Sequence, residues 1–188
     1  MNKIKNNFNF LKTALRDFKV GALTPSSRYV VKKIIKEIKP DYKYIVEYGP
    51  GDGVVTKAIL NILPSDGRLI AIELNESFVG QLKKIKDDRL IIIYGNVVEV
   101  SKKLKKLNLP QIDAVISGIP CSILTSKERE ELVKNTYNSL VKSGIFLIYQ
   151  SIPIVFLELN KFFRKNITWR FEPRNFTPYF ILIAKKDK

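Results

Sequence analysis

The sequence predicts an α/β protein organised around one doubly wound, mostly parallel sheet. Two patterns carry that prediction. Short apolar runs rich in Ile and Val recur along the chain and are continuous rather than alternating, as strands covered on both faces are. Stretches with helical spacing lie between them, and repeated strand–helix alternation means right-handed βαβ units. Length and composition add a third constraint. With 188 residues, 45% hydrophobic and 27% charged, the chain has the size of one domain and enough apolar material for a sizeable core.

In chain order, two helices are expected ahead of the first strand. One runs from about Ile4 to Val20. The other spans Ser26–Ile38, started by Thr24-Pro25-Ser26-Ser27 as cap and first turn and ended before Pro40. Strand-like runs follow at Tyr44–Tyr48, Leu69–Leu74, Leu90–Tyr94, Ile112–Ser117 and Ile145–Gln150. Helical patterns fill the gaps at Val54–Leu63, Glu76–Lys86, Val97–Leu107 and Ser126–Val141. In the last of these, Glu130, Glu131 and Lys134 supply the wet face, while Leu132, Val133 and Leu140 can face inward. The rhythm then changes. Ile167–Phe171 and Tyr179–Ala184 are joined by a loop carrying Pro173, Asn175 and Pro178, which favours an antiparallel pair and a reversed C-terminal strand. The count is seven strands in a single domain, residues 1–188, with 1–40 as a helical extension and 41–188 as the core.

Composition excludes several chemistries. With no histidine and one cysteine there is no zinc finger, no histidine-ligated haem, no Ser-His-Asp triad and no intramolecular disulfide, and no metal site is expected. Cys121 suits a reducing cytoplasm and reads as a small buried hydrophobe. No run approaches the ~20 apolar residues that span a bilayer. Lys12, Arg16 and Lys19 interrupt any signal-peptide block, so a cytoplasmic protein is expected. Lys+Arg 33 against Asp+Glu 18 leaves +15. Such an excess suits an anionic partner, nucleic acid or an acidic membrane surface, or else simply keeps the surface soluble.

The most informative segment is Glu47-Tyr48-Gly49-Pro50-Gly51-Asp52-Gly53, between the first strand and the helix after it. Glycines there bring backbone close to a ligand at the switch point of an α/β sheet. The spacing is G-x-G-x-G, unlike the dinucleotide fingerprint, and no Gly-Lys-Ser/Thr follows as in a P-loop. Glu73 ends the second strand, where a carboxylate can accept both hydroxyls of a ribose. Gly95-Asn96-Val97 ends the third, placed to meet an adenine edge. The plain alternative is a glycine turn with an unrelated surface Glu.

These three pieces, in register on successive strands, resemble the class I S-adenosylmethionine-dependent methyltransferases and their Rossmann-like core. Two further segments narrow the resemblance. Val20-Gly21-Ala22-Leu23-Thr24-Pro25-Ser26-Ser27-Arg28 precedes the glycine loop, and the fourth strand ends in Ser117-Gly118-Ile119-Pro120. Together they look like the bacterial phospholipid N-methyltransferase family, which methylates the amine of phosphatidylethanolamine-type lipids. The resemblance covers nearly the whole chain. Its cousin is the ribosomal-RNA adenine dimethylase family, which carries Asn-(Leu/Ile)-Pro-Tyr to hold and stack a base. Here Ser117 replaces the Asn and Cys121 the Tyr, and no length remains for that family's helical C-terminal domain. Asp52, where the lipid family usually has Thr, departs from the pattern. An RNA (adenine-N6) methyltransferase therefore stands as the alternative, with nucleic acid the less favoured partner.

The resemblance implies roles. Gly49, Gly51 and Gly53 would lie against the methionine half of S-adenosylmethionine, with Glu47 near its ammonium. Glu73 would take the ribose and Asn96 the adenine, through its side-chain oxygen. Backbone carbonyls near Ser117 and Gly118 would orient the acceptor amine. With no histidine, a Tyr, a carboxylate or water must take the proton, and Tyr149 at the end of the fifth strand is the candidate, unless it only covers the core. Ser26, Ser27 and Arg28 open a helix. They read either as a simple cap or as an anion contact, with Arg28 able to hold a lipid phosphate. On a helical wheel Phe8, Leu11, Leu15 and Phe18 share a sector of about 80°. Lys12, Arg16 and Lys19 lie beside and opposite them. Such a basic amphipathic helix suits a peripheral seat on the inner, anionic membrane face, or packing on its own domain.

Overall fold

The computed structural model describes residues 26–104, 112–175 and 177–187. Phe8, Leu11, Leu15 and Phe18 lie outside them. The described elements are helix α1 (Arg28–Glu37), strand β1 (Tyr44–Tyr48), α2 (Val54–Leu60), β2 (Arg68–Glu73), α3 (Glu76–Leu82) and β3 (Leu90–Tyr94). They continue with α4 (Val97–Ser101), β4 (Ile112–Ser117), a 3₁₀ turn (Cys121–Ile123), α5 (Ser126–Ser139), β5 (Leu140–Gln150), α6 (Phe156–Phe163), β6 (Ile167–Glu172) and β7 (Tyr179–Lys185).

The strands form one sheet in the order β3-β2-β1-β4-β5-β7-β6. β1 to β5 are parallel. β7 is antiparallel to both β5 and β6, so it alone is reversed and β6 runs with the first five. This is the expected Rossmann-like, doubly wound sheet, with one refinement: the reversed strand is inserted, and the edge belongs to β6.

Side chains alternate across the strands and build two cores. Val46, Tyr48, Ile70, Ile72, Val115, Phe146 and Ile148 pack with Val97, Leu132, Val133, Leu159 and Phe163 from α4, α5 and α6. Ile45, Leu69, Ala114, Ile116, Leu147, Ile181 and Ile183 pack on the other face with Val30 and Ile34 of α1 and Val55 and Ile59 of α2. Because both faces are covered, the strands read as unbroken apolar runs. α1 buries Val30 and Ile34, four residues apart, and leaves Lys32 and Lys36 wet.

Several helices end earlier than expected, and one helix was not expected at all. The predicted helix to Val141 ends at Ser139, because Leu140 already pairs with Ile112 at the start of a long β5. α6 is absent from the sequence reading. Leu159 and Phe163, four apart, anchor it, while its first turn leaves Phe156 and Leu157 in solvent.

Candidate cofactor and acceptor site

β1 lies between β2 and β4, so the chain leaves its carboxyl end toward one side and returns on the other, opening a crevice there. Four segments meet at this end of the sheet: the glycine loop after β1, the end of β2, the turn after β3, and Ser117–Cys121 after β4.

Glu47, one residue from the end of β1, is fully buried. Its Oε2 accepts a 2.7 Å hydrogen bond from the Thr56 hydroxyl on α2, and its Oε1 has no partner. Burial pushes this carboxyl up to about 8; Thr56 opposes that rise, and the carboxylates of Glu73 and Asp52 add to it. A buried acid with an idle oxygen suits an ammonium group, whose charge would favour ionisation and satisfy the orphaned atom.

Gly49, Gly51 and Gly53 all have positive φ, at 65°, 56° and 80°. They are not equivalent. A Cβ on Gly49 would lie 2.5 Å from Ile119 Cγ2, so this glycine lets the β1 loop touch the acceptor loop. A Cβ on Gly53 would press on Leu82 at 3.1 Å and Ile85 at 3.3 Å. Gly51 alone faces open space. The expectation that all three leave room for a ligand narrows to Gly51.

Glu73 is 2% exposed and already engaged. Its Oε1 accepts from the backbone N–H of Leu74 (2.9 Å) and Asn75 (2.8 Å), and its Oε2 from Gly51 N–H (3.1 Å). The carboxylate thus pins the glycine loop to the end of β2. Ribose hydroxyls would join it at the remaining lone pairs, with Oε2 the less occupied oxygen. Asn96 is exposed, and its side-chain oxygen caps α4 by accepting from Val98 N–H at 2.8 Å. An adenine edge would meet the second lone pair of that oxygen or the amide NH₂.

Ser117 is fully buried at the end of β4, its hydroxyl without a partner. Gly118 N–H donates to Tyr48 O at 2.9 Å. Tyr149 packs directly on Gly118, where any Cβ would overlap the phenol oxygen. Burial pushes the Tyr149 phenol well above its ordinary 10, Glu47 adds to the rise, and a hydrogen bond with Ser26 opposes it. Burial thus holds the phenol protonated, which weighs against the proton-acceptor role expected of it. The comparison with Asn-(Leu/Ile)-Pro-Tyr also shifts by one. Counting back from Pro120, the Asn position falls on Gly118 rather than Ser117, so this chain has no side chain there at all.

Three neighbours join these residues; the sequence marks Ser26 only as part of the start of α1 and leaves Gln150 unmarked. Thr56 holds Glu47; its signal is its place one turn into α2, three residues after Gly53. Ser26 reaches Tyr149 from the approach to α1. Gln150, one residue past Tyr149, accepts from Cys121 N–H at 3.0 Å while its buried Nε2 has no partner. Arg28 opens α1 beside its cap, Ser27, which accepts from Val30 N–H at 3.4 Å. Its guanidinium donates to the Tyr29 hydroxyl at 2.9 Å.

No family model matches the chain. It is 27% identical over 162 residues to an ornithine lipid N-methyltransferase of Singulisphaera acidiphila, covering 85% of this chain and 84% of that protein. A ribosomal RNA small subunit methyltransferase A of Buchnera aphidicola is 38% identical over 93 residues, but these span only 43% of this chain and 33% of the relative. Among solved structures, precorrin-6y C5,15-methyltransferase of Geobacter metallireducens superposes with a TM-score of 0.68 at 17% identity, over 86% of this chain and 89% of that one. The fold and these relatives fit a class I S-adenosylmethionine-dependent methyltransferase. The chain carries its glycine loop, its buried acids and the loop after β4 at one end of the sheet. Among the described residues no helix is long and apolar enough to cross a membrane.

Proposed function

We propose that this methyltransferase modifies the head-group amine of a phospholipid of the phosphatidylethanolamine type at the surface of a membrane. The observation that carries the reading is the acceptor loop. Ser117-Gly118-Ile119-Pro120-Cys121 offers neither an amide to hold an adenine nor a ring to stack on it, and Cys121 is buried with its thiol pushed up to about 12 by burial. The ornithine lipid N-methyltransferase relative, matched over most of both chains, supports a lipid acceptor.

S-adenosylmethionine, when bound, supplies the methyl group. The chain's residues do the rest. Glu73 and Asn96 would hold the donor's nucleoside side, Gly51 would lie against its methionine half, and Glu47 would meet its ammonium. The Gly118 backbone, fixed by Tyr48 O and braced by Tyr149, would direct an amine lone pair along the line of transfer, and burial of Ser117 and Tyr149 excludes water. Water or a carboxylate takes the amine proton, since the Tyr149 phenol is already protonated. The test is to incubate pure protein with labelled methyl donor, phosphatidylethanolamine vesicles and purified ribosomal RNA, then separate lipid from RNA. Label should enter the lipid. Label in RNA alone, as adenine methylation, would replace this reading with the RNA one, and label in neither would end both.

A further inference from the structure

A groove of 520 Å³ runs between α1 and the end of β6, lined by Arg28, Tyr29, Lys32, Lys33, Lys36, Glu172 and Arg174. The one carboxylate among the described residues lining it is spent. Glu172 is fully buried, with Lys33 Nζ at 3.1 Å and the Arg174 guanidinium donating to both of its oxygens at 2.7 and 3.0 Å. Arg28, Lys32 and Lys36 have no carboxylate partner among the described residues. They recur every four residues on one side of α1, a row of cations about 12 Å long. Such a row exceeds a single phosphate and suits several lying side by side.

The groove starts at the catalytic end of the sheet. Ser27 N–H donates to Asn175 Oδ1 at 2.9 Å, and Ser151, next after β5, donates to Thr177 at 2.9 Å. Beyond Ser151 the chain exposes Ile152 (62%), Ile154, Phe156 and Leu157 (74%), an apolar surface at the same end of the sheet. Among the described residues that line the groove the only ring is Tyr29, with the guanidinium of Arg174 at 4.1 Å from its centroid and that of Arg28 at 4.9 Å. A ring so covered cannot stack on a nucleobase, as single-stranded nucleic acid requires.

The geometry points to a phosphoryl-binding groove whose occupants are the phosphates of anionic lipids. This inference rests on the lipid reading for its biological sense, but its test is separate. Sedimentation with phosphatidylglycerol-containing vesicles is compared for wild type, Lys32→Ala with Lys36→Ala, and Lys84→Ala with Lys86→Ala, two exposed lysines between α3 and β3, the strand at the opposite edge of the sheet. Each groove lysine should contribute about 1 kcal/mol near an anionic leaflet, so the first pair should lose about thirtyfold in partitioning and the second less than threefold. Cofactor affinity by calorimetry shows that each variant is folded. Soluble glycerophosphate at matched ionic strength should compete weakly, and neutral phosphatidylcholine vesicles should not bind. Equal losses from both pairs, tight binding of glycerophosphate alone, or a groove-dependent preference for an RNA oligonucleotide over vesicles would overturn the groove as a lipid site. Vesicle binding through the groove without any lipid methylation would instead leave the groove standing and remove the catalytic reading.

Discussion

At the scale of single residues, two acids divide the work of the cleft. Glu73 holds three backbone N–H groups and would also receive the ribose, so its removal loosens both loop and ligand. Losing two charge-assisted hydrogen bonds at ~1.5–3 kcal/mol each should weaken cofactor binding at least a hundredfold in Glu73→Ala. Calorimetry on a folded variant checks this, and unchanged affinity would take Glu73 out of the site. Glu47 makes a different, pH-dependent prediction. Its folded carboxyl titrates at about 8, above its ordinary 4.5, so the folded state holds the proton more tightly. The associated stability is complete below about pH 4.5 and is lost as pH rises through about 8. Ligand-free wild type should therefore lose Tm across that window relative to Glu47→Gln, which carries no such proton. Saturating cofactor, by pairing the carboxylate with an ammonium, should flatten the wild-type curve. Parallel Tm curves for the two ligand-free proteins would show that Glu47 is ionised throughout.

At the scale of elements, the acceptor loop is held by fit rather than by charge. Gly49 meets Ile119, Gly118 meets Tyr149, and Gln150 meets Cys121, so the end of β1 lends one of these contacts and β5 lends two. Gly118→Ala would drive a methyl into the Tyr149 hydroxyl. It should lower kcat at least tenfold while changing cofactor affinity little, because overpacking of order 1–3 kcal/mol falls on the acceptor side. Adding Tyr149→Phe should restore part of the loss, since it removes the overlapping oxygen. Additive losses in this double-mutant cycle would deny the contact. Much of this level was legible in the sequence. The five parallel strands announced themselves as apolar runs because both their faces are buried, and the glycine loop because only glycine tolerates three positive φ angles in five residues. α6 was hidden by its exposed Phe156 and Leu157, which blur the inward stripe. The Asn96 cap and the one-residue shift at Gly118 were also hidden, since the first depends on where a side chain turns and the second on which residue anchors the comparison. The ties between Lys33 and Glu172, and between Ser26 and Tyr149, join distant parts of the chain, and no local pattern encodes them.

For the molecule as a whole, the net charge of +15 sets the medium in which it works. Attraction to an anionic surface decays over a Debye length of roughly 10 Å at 0.1 M salt. Binding to phosphatidylglycerol vesicles should therefore be strong at low salt and largely reversed at about 0.5 M, with a residue that persists only as far as apolar side chains insert. Sedimentation across a salt series measures both parts. Binding indifferent to salt would mean that apolar insertion dominates and that the charge serves solubility.

The inserted position of β7 also bears on how the chain acquires its shape during synthesis. β6 is made first, yet among the described residues its only sheet partner is β7, and β5 has no neighbour on that side until β7 arrives. A ribosome-bound chain that has emerged only as far as residue 178 would present the apolar edge of β5 and a homeless β6 carrying exposed Trp169 and Phe171. α1, made earliest of the described elements, cannot close its Lys33–Glu172 contact before then either. Completion must wait for Tyr179–Lys185, and in that interval the nascent chain is most in need of a chaperone.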